Sequence, residues 1–155
     1  MITPEQMAIH VDKACKLQLI GWKMLRCHTI PELGILTNGI GPENFSPRLR
    51  NLIDNMNPSI LCASVLHDLR YTYGNGTKAD FLQANAELEI NSNICGEFNY
   101  AWYNPVRYWV KIQAHKFKVI CDDFGWSAYN EAILDRKSRP EFEARYESMR
   151  ALICA

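Results

Sequence analysis

The run Ser59-Ile60-Leu61-Cys62-Ala63-Ser64-Val65-Leu66, continued by His67-Asp68-Leu69-Arg70-Tyr71, is apolar almost all round a helical wheel. That pattern predicts a helix running through the middle of the protein. Asn57-Pro58 supplies its start, Gly74 its stop, and Asn75-Gly76 the turn that follows. Thr77 then caps a second helix with Asp80 at its third helical position, and the pattern carries to about Asn91. So short a connection makes the two helices antiparallel neighbours.

Helix signals also govern the flanks. Thr3 followed by Pro4 and Gln6 gives an N-cap, a first-turn proline and a capping-box partner for a helix to about Leu17. Asn104-Pro105 opens another, from Val106 to about Ile120, and Ser138-Arg139-Pro140 opens a last one that fades near Leu152. In the helix after Pro105, Val106, Trp109, Val110, Gln113 and Phe117 form one stripe and Arg107, Lys111, His115 and Lys118 another. A core-covering helix with a solvated basic face is the plain reading. With Tyr100, Trp102 and Tyr103 ahead of it, the same stretch also suits an anionic lipid surface. Between Pro31 and Pro47, the turn formers Gly34, Asn38, Gly39, Gly41, Pro42 and Asn44 predict one long irregular loop. No segment alternates as a strand does. The expectation is an all-α fold: one compact helical domain over 1–155, with a central antiparallel helix pair and a long glycine-rich loop.

Composition narrows the class without changing that picture. A chain of 155 residues can bury about 69% of its unfolded surface, enough for one core. Seventeen basic residues balance seventeen acidic ones, which leaves no global field to recruit nucleic acid. The start Met1-Ile2-Thr3-Pro4-Glu5-Gln6 has neither the basic opening nor the apolar run of a signal peptide, and no stretch reaches the length of a membrane span. A soluble protein, cytoplasmic at synthesis, is expected. The six cysteines are widely spread with no Cys-x-x-Cys pair, so they read as reduced core residues rather than zinc ligands or a disulfide framework.

The candidate chemistry lies on the apolar helix. Burying an imidazole beside a carboxylate costs several kcal/mol, of order 2–7 for each unpaired polar group, unless each finds a partner or a task. His67 shares a stripe with Ser64 and Tyr71, while Asp68 is turned about 100° away and is free to meet a cation. Asp80, on the neighbouring helix, is the carboxylate that reaches back toward His67. A base, its orienting acid and a metal ligand thus share one helix pair.

His67-Asp68-x-x-Tyr71 on a helix, an acidic residue on the next antiparallel helix, and Thr37-Asn38-Gly39-Ile40-Gly41-Pro42-Glu43-Asn44-Phe45 upstream resemble the phospholipase A2 superfamily. The likeness is closest to small phospholipase-A2-like proteins of bacteria and their phages. It covers about residues 34–91, with a weaker echo at Phe124-Gly125-Trp126. The resemblance implies Ca2+-dependent hydrolysis of a glycerophospholipid acyl ester at a membrane surface. His67 would be the general base, Asp80 its orienting partner and Tyr71 a hydrogen-bonding support. Asp68 would bind Ca2+ together with backbone carbonyls near Thr37, Gly39 and Gly41. The family often carries a Cys at the positions of Ile40 and Ser64, so both halves of that bridge are missing together, and Cys62 is out of register to replace it.

Two other readings remain. Val65-Leu66-His67-Asp68 is also similar to the centre of HD-type metal phosphohydrolases, for which His28 and Asp122 or Asp123 would have to complete the metal cage. Alternatively, the chain is a non-catalytic structural protein, associated with a virion, that keeps the helical fold without the chemistry. His10, His28 and His115 read as surface or capping histidines, and Asp122-Asp123 as a polar turn.

Overall fold

Thr3 and Thr29 each accept from the third backbone N–H of a helix, and a glutamine or glutamate returns the bond, so two capping boxes fix the first part of the chain. The computed structural model describes residues 2–37 and 57–153. Over these the chain forms α1 (Pro4–Lys16), α2 (Trp22–Leu25), α3 (Ile30–Leu36), α4 (Pro58–Thr72), α5 (Lys78–Asn99), α6 (Pro105–Phe124), α7 (Trp126–Lys137), α8 (Pro140–Glu143) and α9 (Tyr146–Ile153). Every regular element among the described residues is a helix, and together they pack into a compact all-α body.

Several boundaries depart from the sequence expectation for local reasons. The supposed loop begins with α3, because Thr29, Pro31 and Glu32 form a complete helix start and Gly34 is tolerated within it. The remainder of the glycine-rich segment lies outside the described residues. α5 continues to Asn99, a turn or more beyond Asn91, since Asn91 and Ser92 are buried and Ser92 satisfies its hydroxyl on the Leu88 carbonyl. The last helix is broken into α8 and α9 around Ala144.

Twelve of the fifteen residues of α4 are buried. The helix packs against α1, α2, α3, α5, α6 and α7, which explains why its sequence shows no polar face. Met7, Leu19, Met24, Leu33, Leu66 and Leu69 belong to the largest core cluster. Tyr71, Phe81, Ala84, Tyr129 and Ile133 form a second, aromatic one. Hydrogen bonds Ser59 to Asn99, His67 to Asn85 and Arg70 to Glu87 tie α4 to α5. α6 reaches α5 at Gly96, where an added Cβ would lie 2.8 Å from the Val110 side chain. Only glycine permits that approach.

The buried stripe of α6 is Val110, Gln113, Ala114 and Phe117, whereas Val106 and Trp109, expected beside them, are 36% and 49% exposed. Among the described residues no helix is long and apolar enough to cross a membrane.

Cys15, Cys27, Cys62, Cys95 and Cys121 carry free thiols. Cys62 and Cys95 are fully buried and Cys27 is exposed. Among the described thiols a reagent is therefore expected to modify Cys27 first and to reach Cys62 and Cys95 only after denaturation. Time-resolved thiol counting with peptide mapping checks this, and prompt native labelling of Cys62 would contradict the packing.

Candidate functional site

His67 is buried at 6% exposure, and its ring lies 4.1 Å, centroid to centroid, from that of Tyr71 one turn on. Both side chains converge on one atom. Asn85 Oδ1 accepts from His67 Nε2 at 2.9 Å and from the Tyr71 hydroxyl at 2.7 Å. The other end of the same amide donates to Asp122 Oδ1 at 2.8 Å, and Asp122 Oδ2 receives the Lys118 ammonium. Asn85 is fully buried, so all of its bonding capacity must be met inside the protein. Burial pushes the Tyr71 phenol well above its ordinary range, which keeps it protonated as a donor.

On its other side, His67 Nδ1 stands 3.9 Å from Asp68 Oδ1, too far for a hydrogen bond. The Asp68 side chain is 20% exposed. Burial raises its carboxyl above the usual aspartate value, only partly offset by His67. Burial also lifts the Cys121 thiol to about 12, with Asp68 and Asp122 adding to the effect, so it is no ready nucleophile. Gly125 closes this corner: a Cβ there would sit 2.8 Å from the Tyr71 hydroxyl and 2.6 Å from the Cys121 carbonyl oxygen.

Asp80 makes none of these contacts, which corrects the pairing expected with His67. Its carboxylate accepts from the Tyr129 hydroxyl at 2.8 Å, Arg150 Nη1 at 2.8 Å, the Asn75 backbone N–H at 3.1 Å and Arg70 Nη2 at 3.5 Å. Burial alone would raise its pKa, but Arg150, Tyr129, the Asn75 amide and Arg70 reverse that and hold it below the ordinary value. Helix rise explains the difference. At about 1.5 Å per residue His67 lies about 10 Å from the turn, Asn85 about 12 Å and Asp80 about 5 Å, so Asn85 is the residue level with the imidazole. The sequence reading missed Asn85 because it looked for a carboxylate. Asp122, read from sequence as part of a polar turn or of an HD-type metal cage, instead accepts from the Asn85 amide.

Thr37 caps α3, and its buried hydroxyl donates to the Leu33 carbonyl at 2.7 Å. Gly39 and Gly41 lie outside the described residues. Among the described residues no group of three or more His, Cys, Asp or Glu side chains is placed to hold a metal ion. Asp68 presents a desolvated carboxylate whose nearest ring nitrogen, His67 Nδ1, is beyond hydrogen-bond reach. A hard cation such as Ca2+ would need further oxygen atoms to complete its shell of six to eight.

His28 has both ring nitrogens engaged, with the Met24 carbonyl at 2.9 Å and the Tyr73 hydroxyl at 2.8 Å, and so packs and bonds rather than standing ready as a ligand. The basic stripe of α6 is paired along its length. Arg107 and Lys111 share Glu97, His115 meets Glu89, and Lys118 meets Asp122. Compared with family models, with curated proteins and with solved structures, the chain finds no match in any of the three.

Proposed function

We propose that the protein hydrolyses an acyl ester of a glycerophospholipid in a Ca2+-dependent reaction, with His67 as the general base and Asn85, rather than Asp80, as the group that orients it. The observation that carries this reading is the double acceptance at Asn85 Oδ1. Because that oxygen takes a hydrogen bond from His67 Nε2, the ring proton sits on Nε2 and the lone pair on Nδ1, toward Asp68. Nδ1 can then take the proton of a water whose oxygen bonds to the ester carbonyl carbon. Breaking of the carbon–oxygen bond to glycerol follows, and the imidazolium returns the proton to the departing oxygen, giving a fatty acid and a lysophospholipid. Tyr71 steadies the Asn85 oxygen from the second side. Asp68 is the residue that would hold Ca2+, with loop carbonyls near Thr37, Gly39 and Gly41 completing the shell. Bound Ca2+ would polarise the ester carbonyl and take up its developing negative charge.

A neutral amide stabilises an imidazolium less than a carboxylate does, and this favours slow turnover or, as the second reading, a non-catalytic protein of the same fold. A fluorogenic phospholipid presented in vesicles and micelles decides between them. The expected result is turnover that stops on chelation and, in Asp68→Asn, requires a higher Ca2+ concentration. Turnover that survives complete chelation would remove the metal from the reaction, and none on any lipid form would select the non-catalytic reading.

A further inference from the structure

The hydrogen bonds behind His67 run in one direction only. Lys118 is purely a donor and the Asp122 carboxylate purely an acceptor, so the side of Asn85 that meets Asp122 must be its NH2 group. Turning the amide over would set the carbonyl oxygen of fully buried Asn85 against an oxygen of the partly exposed Asp122 carboxylate. The carbonyl is thereby committed to His67 and Tyr71. Tyr71 does not make that choice, since a phenol donates or accepts as required. Nor does Asp68, which at 3.9 Å from Nδ1 attracts the ring proton to Nδ1, away from Nε2.

We propose that Asp122 is a positioning residue that sets the tautomer of His67 through the Asn85 amide, keeping the proton on Nε2 and leaving the Nδ1 lone pair for the reacting water. This rests on the preceding section only for the use made of the lone pair. The tautomer itself follows from the bonding pattern. Asparagine at 122 would turn its oxygen to the Lys118 ammonium and its NH2 to Asn85, so the Asn85 amide would turn over, its NH2 would meet His67 Nε2, and the ring proton would move to Nδ1, where Asp68 also favours it. Exchanging the two residues, Asn85→Asp with Asp122→Asn, puts an obligate acceptor directly against His67 and Tyr71 and restores the original direction.

Long-range 1H–15N spectra of protein labelled at its four histidines report each tautomer. They are recorded without calcium at about pH 8.5, above the ordinary imidazole range. His67→Gln identifies the signal. The wild type is expected to show Nε2–H alone, Asp122→Asn a ratio of Nε2–H to Nδ1–H lower by about tenfold or more, and the exchanged double variant Nε2–H again. An unchanged tautomer in Asp122→Asn overturns the inference. Should that variant fail to fold, Nδ1–H in the double variant overturns it equally. A tautomer switch in a protein that hydrolyses no lipid upholds this inference and removes the proposed activity. An active protein whose His67 ignores residue 122 does the reverse.

Discussion

Asp80→Asn is expected to cost about 3–5 kcal/mol of folding stability, the range for removing one partner from a buried ion pair. Arg70 is 1% exposed and is held between Asp80 and Glu87, with Glu87 Oε2 2.6 Å from its Nε. Arg150 and Tyr129 also donate to the same Asp80 carboxylate, so one substitution disturbs α4, α5, α7 and α9 together. The pH dependence has a definite sign. The folded carboxyl is held below its unfolded value of about 3.9, so its contribution is present above that pH and is lost as pH falls through the lower folded value. Urea melts of both proteins at pH 7 and near pH 3 should therefore show a large gap that shrinks on acidification. A variant as stable as wild type at pH 7, but catalytically slower, would return Asp80 to the role expected from the sequence.

For the proposed phospholipid hydrolysis, His67→Gln is expected to lower kcat by about 10²–10⁴-fold, the usual contribution of a positioned base, with little change in KM. Asn85→Leu should fall in the same range, because the imidazole loses the acceptor that fixes its ring and Tyr71 loses its partner. Leucine also leaves Asp122 without its amide donor, so a thermal melt must accompany each rate measurement. A His67→Gln protein within twofold of wild-type kcat would end the assignment of His67 as base.

Apart from α3, whose capping box and proline were read as the start of a loop, the chain announces its longer helices where a side chain or a proline does the announcing. Thr3, Asn57, Thr77 and Asn104 each cap a helix start read from sequence, and each accepts a backbone N–H there. α7 was not legible because it begins at Gly125 with no side-chain cap, immediately after the end of α6. The site was half legible. His67, Asp68 and Tyr71 stand out as polar residues on an apolar helix, but their partners depend on how far α5 slides past α4. Sequence spacing limits that stagger only to within a turn or so. That is enough to exchange Asp80 for Asn85 and to give Asp80 a separate role among arginines.

The pairing of Arg107 and Lys111 with Glu97, and of His115 with Glu89, also determines how the outer side of α6 responds to ionic strength. Cations so paired have few condensed counter-ions to release and project little field beyond a Debye length, about 8 Å in physiological salt. Exposed aromatic area lies on this helix and just ahead of it, with Tyr108 61% exposed, Trp102 75% and Tyr103 73%. Association through this face should therefore hardly weaken as sodium chloride is added, and should strengthen with sulfate, as excluded-salt effects on apolar contact require.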